Sequence, residues 1–279
     1  MRVKDIMTEE PIMAKLPGTR TELLRILVTK KLTGVPVVKR DGTYVGFVAR
    51  KHIFANPTEE QLALLVQKDW PTTIKTAKVE DAAQHIVEKD LHHMPVVSKR
   101  KVVGMVTPAD FLEVVDKKNI QTPVGELIRS PCVPVYEKTP LRVALEIIKV
   151  AKVFALPVLD GAGKLSGIIT DRDIFNQSHI NGSIAISDLG LGEDEDSWSW
   201  DGLRNVMKLY YEESKIDLPR INVEDVMVKD PVTVFEKTAA AEAARTMMIN
   251  DFGQLPVIDM NDKLVAMIYE LDVVSTLIQ

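Results

Sequence analysis

A short pattern, an apolar residue and a proline followed by two β-forming residues, occurs four times in this chain of 279 residues. Its prolines are Pro36, Pro95, Pro157 and Pro256, and the steps between them are 59, 62 and 99 residues. A helical pattern precedes each copy, and a turn and another strand follow it. The repetition indicates that one supersecondary unit is used four times. Packed repeats leave clefts between them, and small ligands bind in clefts.

Apolar residues make up 46% of the chain, which is enough to build a core, and the net charge is −5. This acidic balance disfavours a general binder of nucleic-acid phosphates. Cys132 is the only cysteine, so no intramolecular disulfide can form, and we interpret it as a small buried hydrophobe. The sequence contains neither an apolar signal segment nor a window that could span a membrane. We therefore expect a cytoplasmic protein without membrane contact.

In each repeat the helical pattern begins 18 residues before the proline, at Gly18, Ala77, Thr139 and Thr238. Apolar residues recur there at i, i+3, i+4 and i+7, as on one helix face. Thr139, followed by Pro140, and Thr238 are predicted to cap their helices. With its strands the unit becomes β-α-β-β-α, an α/β (α+β) fold of about 50 residues. Its sheet carries helices on one face only, so two units should cover each other's open faces.

The last strand of each unit is predicted at 44–48, 102–106, 165–169 and 264–268. The pattern divides the chain into repeat 1 (1–58), repeat 2 (59–119), repeat 3 (120–178), a spacer (179–220) and repeat 4 (221–279). The spacer has an acidic run at 193–197 and a predicted amphipathic helix over 202–215. We expect this helix to cover the second pair of repeats, with docking of a partner as the alternative.

A polar constellation of the form G-x-x-T-x-x-D follows this last strand. Its two polar positions hold Thr107 and Asp110 in repeat 2, Thr170 and Asp173 in repeat 3, Tyr269 and Asp272 in repeat 4, and Ala49 and His52 in repeat 1. An Asp in the first turn of a helix can serve as a cap. It can also accept hydrogen bonds from two vicinal ribose hydroxyls, as an acidic residue does in dinucleotide-binding folds. Both interpretations stand.

These spacings resemble the CBS domain, the repeat named after cystathionine β-synthase. The resemblance covers the chain outside the spacer, and four linked copies look most like archaeal relatives of the γ subunit of AMP-activated protein kinase. It implies four CBS repeats that pair into two Bateman modules and form a flat disc. It also implies that each cleft takes a ribose-binding Asp and Thr from one repeat and other ligand contacts from the partner repeat.

Carried over residue by residue, the resemblance implies four sites. They are site A (Thr107, Asp110, Ile12, Thr33 and Gly34), site B (Thr170, Asp173, Val232, Gly253 and Gln254), site C (Tyr269, Asp272, Val133, Phe154 and Ala155) and site D (Ala49, His52, Thr72, His92 and His93). The implied base contacts are Ile12, Val133, Val232, Phe154 and Ala155, and the implied phosphate contacts include Thr33, Gly34, Gly253 and Gln254. Site D lacks the ribose carboxylate, so we expect it to be empty or altered. In site C, Tyr269 could either block the cleft or stack on another group.

Cations also occupy family phosphate positions, and we expect them to face the centre of the disc: Lys51, His92, His93 and Arg172, with Arg50 adjacent. His92 and His93 could suggest a metal site. However, adjacent residues on an extended segment point to opposite faces and do not readily chelate one ion. We therefore expect no metal, and leave phosphate contact and a structural role open for this pair.

The leading interpretation is a non-catalytic regulatory protein that binds AMP, ADP or ATP and acts as an energy sensor for an unknown regulated protein. The alternative is a module for S-adenosylmethionine or a related adenosyl nucleoside, another ligand class of CBS proteins. No G-x-S-x-G, P-loop, CxxC or HExxH motif supports an enzyme. We expect no cofactor besides the ligand itself, and a homodimer is left open.

Overall fold

The computed structural model describes residues 1–30, 32–49, 52–53, 56, 59–170, 173–174 and 219–278. Within them the chain forms the expected α/β array of four repeats, each with a helix followed by a two-stranded hairpin. Arg50, Lys51 and Arg172 lie outside the described residues, as do nearly all of the spacer and its predicted helix. Their predicted roles stay predictions.

Repeats 1 and 2 occupy the first half of the chain. The elements of repeat 1 are β1 (Thr8–Glu9), β2 (Ala14–Leu16), α1 (Arg20–Thr29), β3 (Gly34–Lys39) and β4 (Tyr44–Ala49). Those of repeat 2 are α2 (Leu62–Leu65), α3 (Val79–Glu88), β5 (Met94–Ser98), β6 (Lys101–Val106) and α4 (Pro108–Lys117). A single turn of 3₁₀ helix, Val3–Asp5, precedes β1.

Repeats 3 and 4 follow the same plan. The elements of repeat 3 are β7 (Val135–Tyr136), α5 (Leu141–Ala151), β8 (Ala155–Leu159) and β9 (Leu165–Thr170). Those of repeat 4 are β10 (Val228–Lys229), β11 (Val234–Phe235), α6 (Ala240–Asn250), β12 (Gln254–Ile258), β13 (Leu264–Tyr269) and α7 (Glu270–Val274). Short 3₁₀ helices stand at Val124–Glu126, Val223–Asp225 and Ser275–Ile278.

The four hairpins have the same register. Each strand that contains the repeated proline pairs antiparallel with the next strand, so that Pro36 lies opposite Phe47 and Pro157 opposite Ile168. Each hairpin also has one irregularity at the same place, between the first and second residues after the proline. The sequence repeat is therefore a structural repeat, as predicted.

The repeats of each pair exchange their N-terminal segments. Strand β1 of repeat 1 pairs antiparallel with β6 of repeat 2, and β10 of repeat 4 pairs antiparallel with β9 of repeat 3. Further backbone hydrogen bonds tie the same segments down: Val3 N–H donates to the Ala77 carbonyl, and Val223 N–H donates to the Thr139 carbonyl. Repeats 1 and 2, and repeats 3 and 4, are therefore joined through sheet hydrogen bonds as well as side chains.

A glycine makes each exchange possible. A Cβ on Gly167 would lie 2.6 Å from Met227 Sδ and 2.8 Å from the Val228 carbonyl oxygen, and Gly104 is similarly crowded by Met7 and Thr8. These glycines are the first residues of the G-x-x-T-x-x-D constellations. Repeat 4 has Ala266 at this position, and its strand β13 pairs only with β12 among the described strands. The glycine therefore serves the approach of the partner's strand.

The largest apolar core joins repeats 2 and 4. It includes Phe111 of α4 and Met247 of α6, which are 0% and 1% exposed. An ion pair between Arg245 and Asp116, 2.7 Å apart, lies at the edge of the same helix–helix contact. Within the described residues, repeats 1 and 3 have separate apolar clusters of their own. The two pairs are thus joined through repeats 2 and 4.

The helices begin two residues later than predicted, and the predicted caps are wrong. Helix α5 starts at Leu141 and α6 at Ala240, with Pro140 and Ala239 as the flanking residues and no side-chain cap. Thr139 and Thr238 instead stand in turns: Thr139 N–H donates to the Tyr136 carbonyl, and Thr238 Oγ1 accepts from Phe235 N–H at 3.0 Å. At Thr238 the turn uses the hydroxyl oxygen that the cap would have needed.

Gly167→Ala should destabilise the protein, because the rigid Val228 carbonyl cannot yield to the new methyl group without loss of the exchanged strand. We expect a loss of roughly 1–3 kcal/mol in the free energy of unfolding, measured by urea denaturation. The matched control is Gly161→Ala, whose Cβ would lie 3.8 Å from Tyr136 Oη, its nearest neighbour. Equal effects of the two substitutions would contradict the close approach at Gly167.

Candidate ligand-binding clefts

The Thr–Asp pair of repeat 2 stands where β6 ends and α4 begins. Thr107 donates two hydrogen bonds to Asp110 Oδ2, from its backbone N–H at 2.7 Å and from its hydroxyl at 2.9 Å. Asp110 is therefore a cap, as one of the two interpretations required. Both bonds end on Oδ2, which leaves Oδ1 without a hydrogen-bond partner among the described residues. Burial raises the pKa of Asp110, and hydrogen bonds from Thr107 oppose that shift.

Repeat 3 reproduces this geometry. Thr170 donates to Asp173 Oδ2 from its backbone N–H at 2.8 Å and from its hydroxyl at 2.6 Å. Asp173 is half-buried, like Asp110. Sites A and B thus present the same side chains in the same arrangement, which includes one carboxylate oxygen turned away from the cap.

The carboxyl group of site C is more deeply buried. Asp272 is 4% exposed and accepts a hydrogen bond from Tyr269 N–H at 3.0 Å. Burial raises the pKa of Asp272 to about 6, although the Tyr269 amide and the charge of Arg129 lower it. Tyr269 Oη is buried and has no hydrogen-bond partner among the described residues, and burial raises the pKa of Tyr269 to about 12, with Cys132 as a further cause. The grouping of Tyr269 with Val133 in site C stays a prediction.

In repeat 1 a histidine takes the structural place of the aspartate. His52 Nδ1 accepts a hydrogen bond from Ala49 N–H at 3.0 Å, the same backbone contact that Asp110 and Asp173 make. Trp70 lies edge-on to His52 at 5.5 Å between ring centroids and stacks on Phe47 at 4.9 Å. Trp70, with Phe47 stacked on it, therefore lies beside the position that an aspartate occupies in the other three repeats. The sequence reasoning noted the substitution at His52 but missed Trp70 and Phe47.

The two adjacent histidines point in different directions. His93 Nε2 lies 2.7 Å from Thr33 Oγ1, and its ring lies 5.4 Å from that of Phe47, so it faces repeat 1. His92 faces the second pair of repeats: its Nδ1 is 3.7 Å from Glu270 Oε1, and its ring is edge-on to Phe154 at 5.6 Å. His92 thus lies apart from the aromatic group around His52. Glu270 was not predicted, although it directly follows Tyr269 of the constellation.

The remaining predicted residues line the ends of the hairpins. The register places Gly34, Ala155 and Gln254 opposite Ala49, Thr170 and Tyr269 of the same repeat. Gly253 accepts a hydrogen bond at its carbonyl from Glu270 N–H at 2.9 Å. The predicted base contacts differ in exposure: Phe154, Ile12 and Val232 are exposed, Val133 is half-buried and Ala155 is buried. Their roles stay predictions.

No group of three or more His, Cys, Asp or Glu side chains in the described part of the chain is placed to hold a metal ion. No helix of the described ranges is both long and apolar enough to cross a bilayer.

The CBS-domain family model matches four ranges, residues 3–58, 65–117, 124–179 and 223–279. The chain belongs to the CBS-domain family. The matches agree with four hairpins of one register, and none of them is a catalytic domain.

Similar four-repeat proteins are found in archaea. An uncharacterised conserved protein of Pyrococcus horikoshii superimposes with a TM-score of 0.71 at 24% identity, over 99% of this chain and 100% of that one. MJ1225 of Methanocaldococcus jannaschii, whose structure is described as that of a candidate archaeal homologue of the AMPK γ subunit, gives 0.68 at 19% identity over 99% of both chains. In sequence MJ1225 is 23% identical over 191 residues, 62% of this chain and 68% of its own. CBSX2 of Arabidopsis thaliana is 31% identical over 137 residues, 49% of this chain and 54% of its own. The predicted likeness to archaeal γ-subunit relatives is confirmed.

Asp272→Asn should change the pH dependence of stability. Because burial raises the pKa of Asp272 to about 6 in the folded protein, above its ordinary value of 3.8, the stability that this group contributes is fully present below about pH 4 and is lost as the pH rises through 6. Asparagine keeps an acceptor for Tyr269 N–H and cannot ionise. We therefore expect the variant to gain roughly 1–1.5 kcal/mol relative to the wild type between pH 5 and pH 8 in urea denaturation. A difference that stays constant with pH would contradict the burial argument.

Proposed function

We propose that this CBS protein is a regulatory, non-catalytic binder of adenine ribonucleotides, AMP, ADP or ATP, and that sites A and B are its binding clefts. Ligand binding across two repeats would shift the geometry of the pair and so inform a regulated partner protein. This role follows the energy-sensor interpretation of the sequence.

This proposal rests on the different surroundings of the two oxygens of one carboxylate. In Asp110 and Asp173, Oδ2 caps the helix, and Oδ1 has no hydrogen-bond partner among the described residues. A half-buried carboxylate oxygen held in this way is prepared to accept hydrogen bonds from ribose hydroxyls, and such charge-assisted bonds are strong. The same pair of residues would serve both as the cap and as the ribose contact.

The family supports the choice of adenosine as the common element. CBSX2 has been solved in complex with AMP, and the CBS pair of MJ0100 in complex with methylthioadenosine and S-adenosylmethionine. All three ligands contain a ribose bonded to adenine, so a ribose acceptor suits each of them. On these grounds we propose that the ligand of this chain contains adenosine.

Sites C and D are proposed not to bind in the same way. In site C the phenol of Tyr269 replaces the threonine hydroxyl and lies buried beside Asp272. In site D the imidazole of His52 replaces the carboxylate, and Trp70 lies against it. We therefore expect two ribonucleotides per chain.

S-adenosylmethionine is the second candidate ligand. The position of Glu270 favours it. The Glu270 carboxylate lies 3.7 Å from His92 Nδ1, and the Glu270 backbone N–H donates a hydrogen bond to the Gly253 carbonyl of site B. A carboxylate near the ligand suits a sulfonium cation better than it suits phosphate.

Asp110→Ala and Asp173→Ala should each remove one of two binding events in calorimetry with AMP, or weaken it about tenfold or more, because each loses charge-assisted hydrogen bonds worth roughly 1.5–3 kcal/mol. The control for a lost cap is Asp225→Ala. Asp225 accepts a hydrogen bond from Asn222 N–H at 2.8 Å in a 3₁₀ helix that contributes to none of the four sites. This control should keep both binding events. Unchanged stoichiometry and affinity in both cleft variants would refute the proposal.

A further inference from the structure

The hairpin turns of repeats 1 and 2 contact each other. The turn between β3 and β4 is formed by residues 39–43, and the turn between β5 and β6 by residues 98–101. Tyr44 N–H donates a hydrogen bond to the Arg100 carbonyl at 2.8 Å, and an antiparallel β-bridge lies beside this bond. The two turns therefore form one surface of the first pair of repeats, which we call the joined tips.

The joined tips concentrate positive charge. They contain five cations and one carboxylate, whereas the net charge of the whole chain is −5. The carboxylate, that of Asp41, accepts a hydrogen bond from Thr43 N–H at 2.9 Å within its own turn. All five cations are exposed, and none is in a salt bridge with another residue that the structure describes. They are Lys39, Arg40, Lys99, Arg100 and Lys101.

The turn of repeat 2 places two of these cations at strained backbone positions. Ser98 pairs with Lys101, so Lys99 and Arg100 are the central residues of a two-residue turn, with φ angles of +49° and +63°. A turn with positive φ at both positions prefers Asn-Gly or Asp-Gly, because other side chains are crowded there. In the other three hairpins the residues with positive φ are Gly42, Gly163 and Asp262.

No contact in the described fold explains the choice of Lys99 and Arg100. Neither side chain donates a hydrogen bond or forms a salt bridge among the described residues. An Asn-Gly turn would relieve the strain without loss of any contact in this part of the chain. Native proteins keep such strain chiefly where a side chain serves function. The two cations therefore indicate a partner that carries negative charge.

The charge pattern favours a short acidic segment of a protein over a nucleic acid or a membrane. Five cations on two turns contact few phosphates, and the acidic remainder of the chain repels a long polyanion. None of the nine residues of the joined tips is aromatic or aliphatic. The tips therefore offer no platform on which bases could stack and no apolar anchor for a bilayer.

We propose that the joined tips are a docking surface for an acidic segment of a partner protein. The chain's own acidic run, 193–197, belongs instead to the spacer between repeats 3 and 4. The second pair has no equivalent surface, because its turns, 160–164 and 259–263, contain three aspartates and two lysines. The inference does not depend on adenosine binding at sites A and B. It adds the place at which a regulated protein would contact this chain.

The test is the double substitution Lys99→Asn with Arg100→Gly in the full chain. The probe is a short fluorescent peptide of alternating Glu and Asp, with a peptide of Gln and Asn as the blank, and binding is measured by fluorescence anisotropy. We expect the substitution to weaken binding of the acidic peptide about five- to tenfold, as the loss of two exposed ion pairs implies. The same variant should melt about 2–4 °C higher, because the turn strain is relieved.

The matched control is Lys164→Gln with Lys263→Gln. It makes the same change in net charge on exposed lysines of the hairpin turns of the second pair. At about 0.1 M salt, where distant charges are screened, it should leave the affinity for the peptide unchanged. A loss equal to that of the Lys99 and Arg100 variant would overturn the proposal.

Arg40→Gln tests whether the two turns act as one surface. Because Arg40 lies on the turn of repeat 1, its loss should weaken binding of the acidic peptide about two- to threefold. An unchanged affinity would show that the turns do not bind together. A lower melting temperature of the Lys99 and Arg100 variant would assign those residues a structural role and would also overturn the proposal.

Other occupants of the surface give different results. If the acidic run of the spacer occupies the surface, replacing its carboxylates by amides should tighten peptide binding about tenfold or more, and a partner protein would not be needed. Tighter binding of single-stranded DNA or of phosphatidylserine vesicles than of the peptide, lost in the Lys99 and Arg100 variant, would replace the proposal with a nucleic acid or a membrane. Calorimetry with AMP should be the same for this variant and the unsubstituted protein, which separates the docking surface from the clefts.

Discussion

The close approach of an exchanged strand to a glycine organises each pair of repeats. Strand β10 lies against Gly167 at a distance that no side chain could share, and β1 lies in the same way against Gly104. Because these glycines begin the constellation that ends in the Thr–Asp pair, the pairing of repeats and the position of the cleft are set within one stretch of seven residues. A cleft of this kind forms only when both repeats are folded and paired.

The four junctions differ in chemistry while their backbone geometry stays the same. In every repeat a backbone amide at the end of the last strand donates to a side chain three residues later, and the acceptor is Asp110, Asp173, Asp272 or His52. The hydrogen bond that starts the helix has thus been kept, whereas the groups that would face a ligand have changed. A structural role at these positions tolerates histidine, but the proposed ribose contact does not.

Much of the fold could be predicted from the sequence, because the repeated proline, the hairpin turns and the helix periodicity are local signals. The Thr–Asp constellation was also found, since its three-residue spacing is that of one helical turn. The approach of Glu270 to His92 could not be found in this way, because the two residues are far apart in sequence. The predicted cap at Thr238 failed because a turn takes its hydroxyl oxygen, and Thr139 also stands in a turn, a choice that composition alone does not decide.

The core shared by repeats 2 and 4 has a consequence for biosynthesis. Helix α4, with Phe111 and Val114 buried, leaves the ribosome more than a hundred residues before α6, which covers it in the finished protein. Proteins fold from the N-terminus as they are made. The apolar face of helix α4 in the first pair of repeats therefore stays uncovered until the last quarter of the chain has been translated. A chaperone that binds nascent chains would find its target on this face.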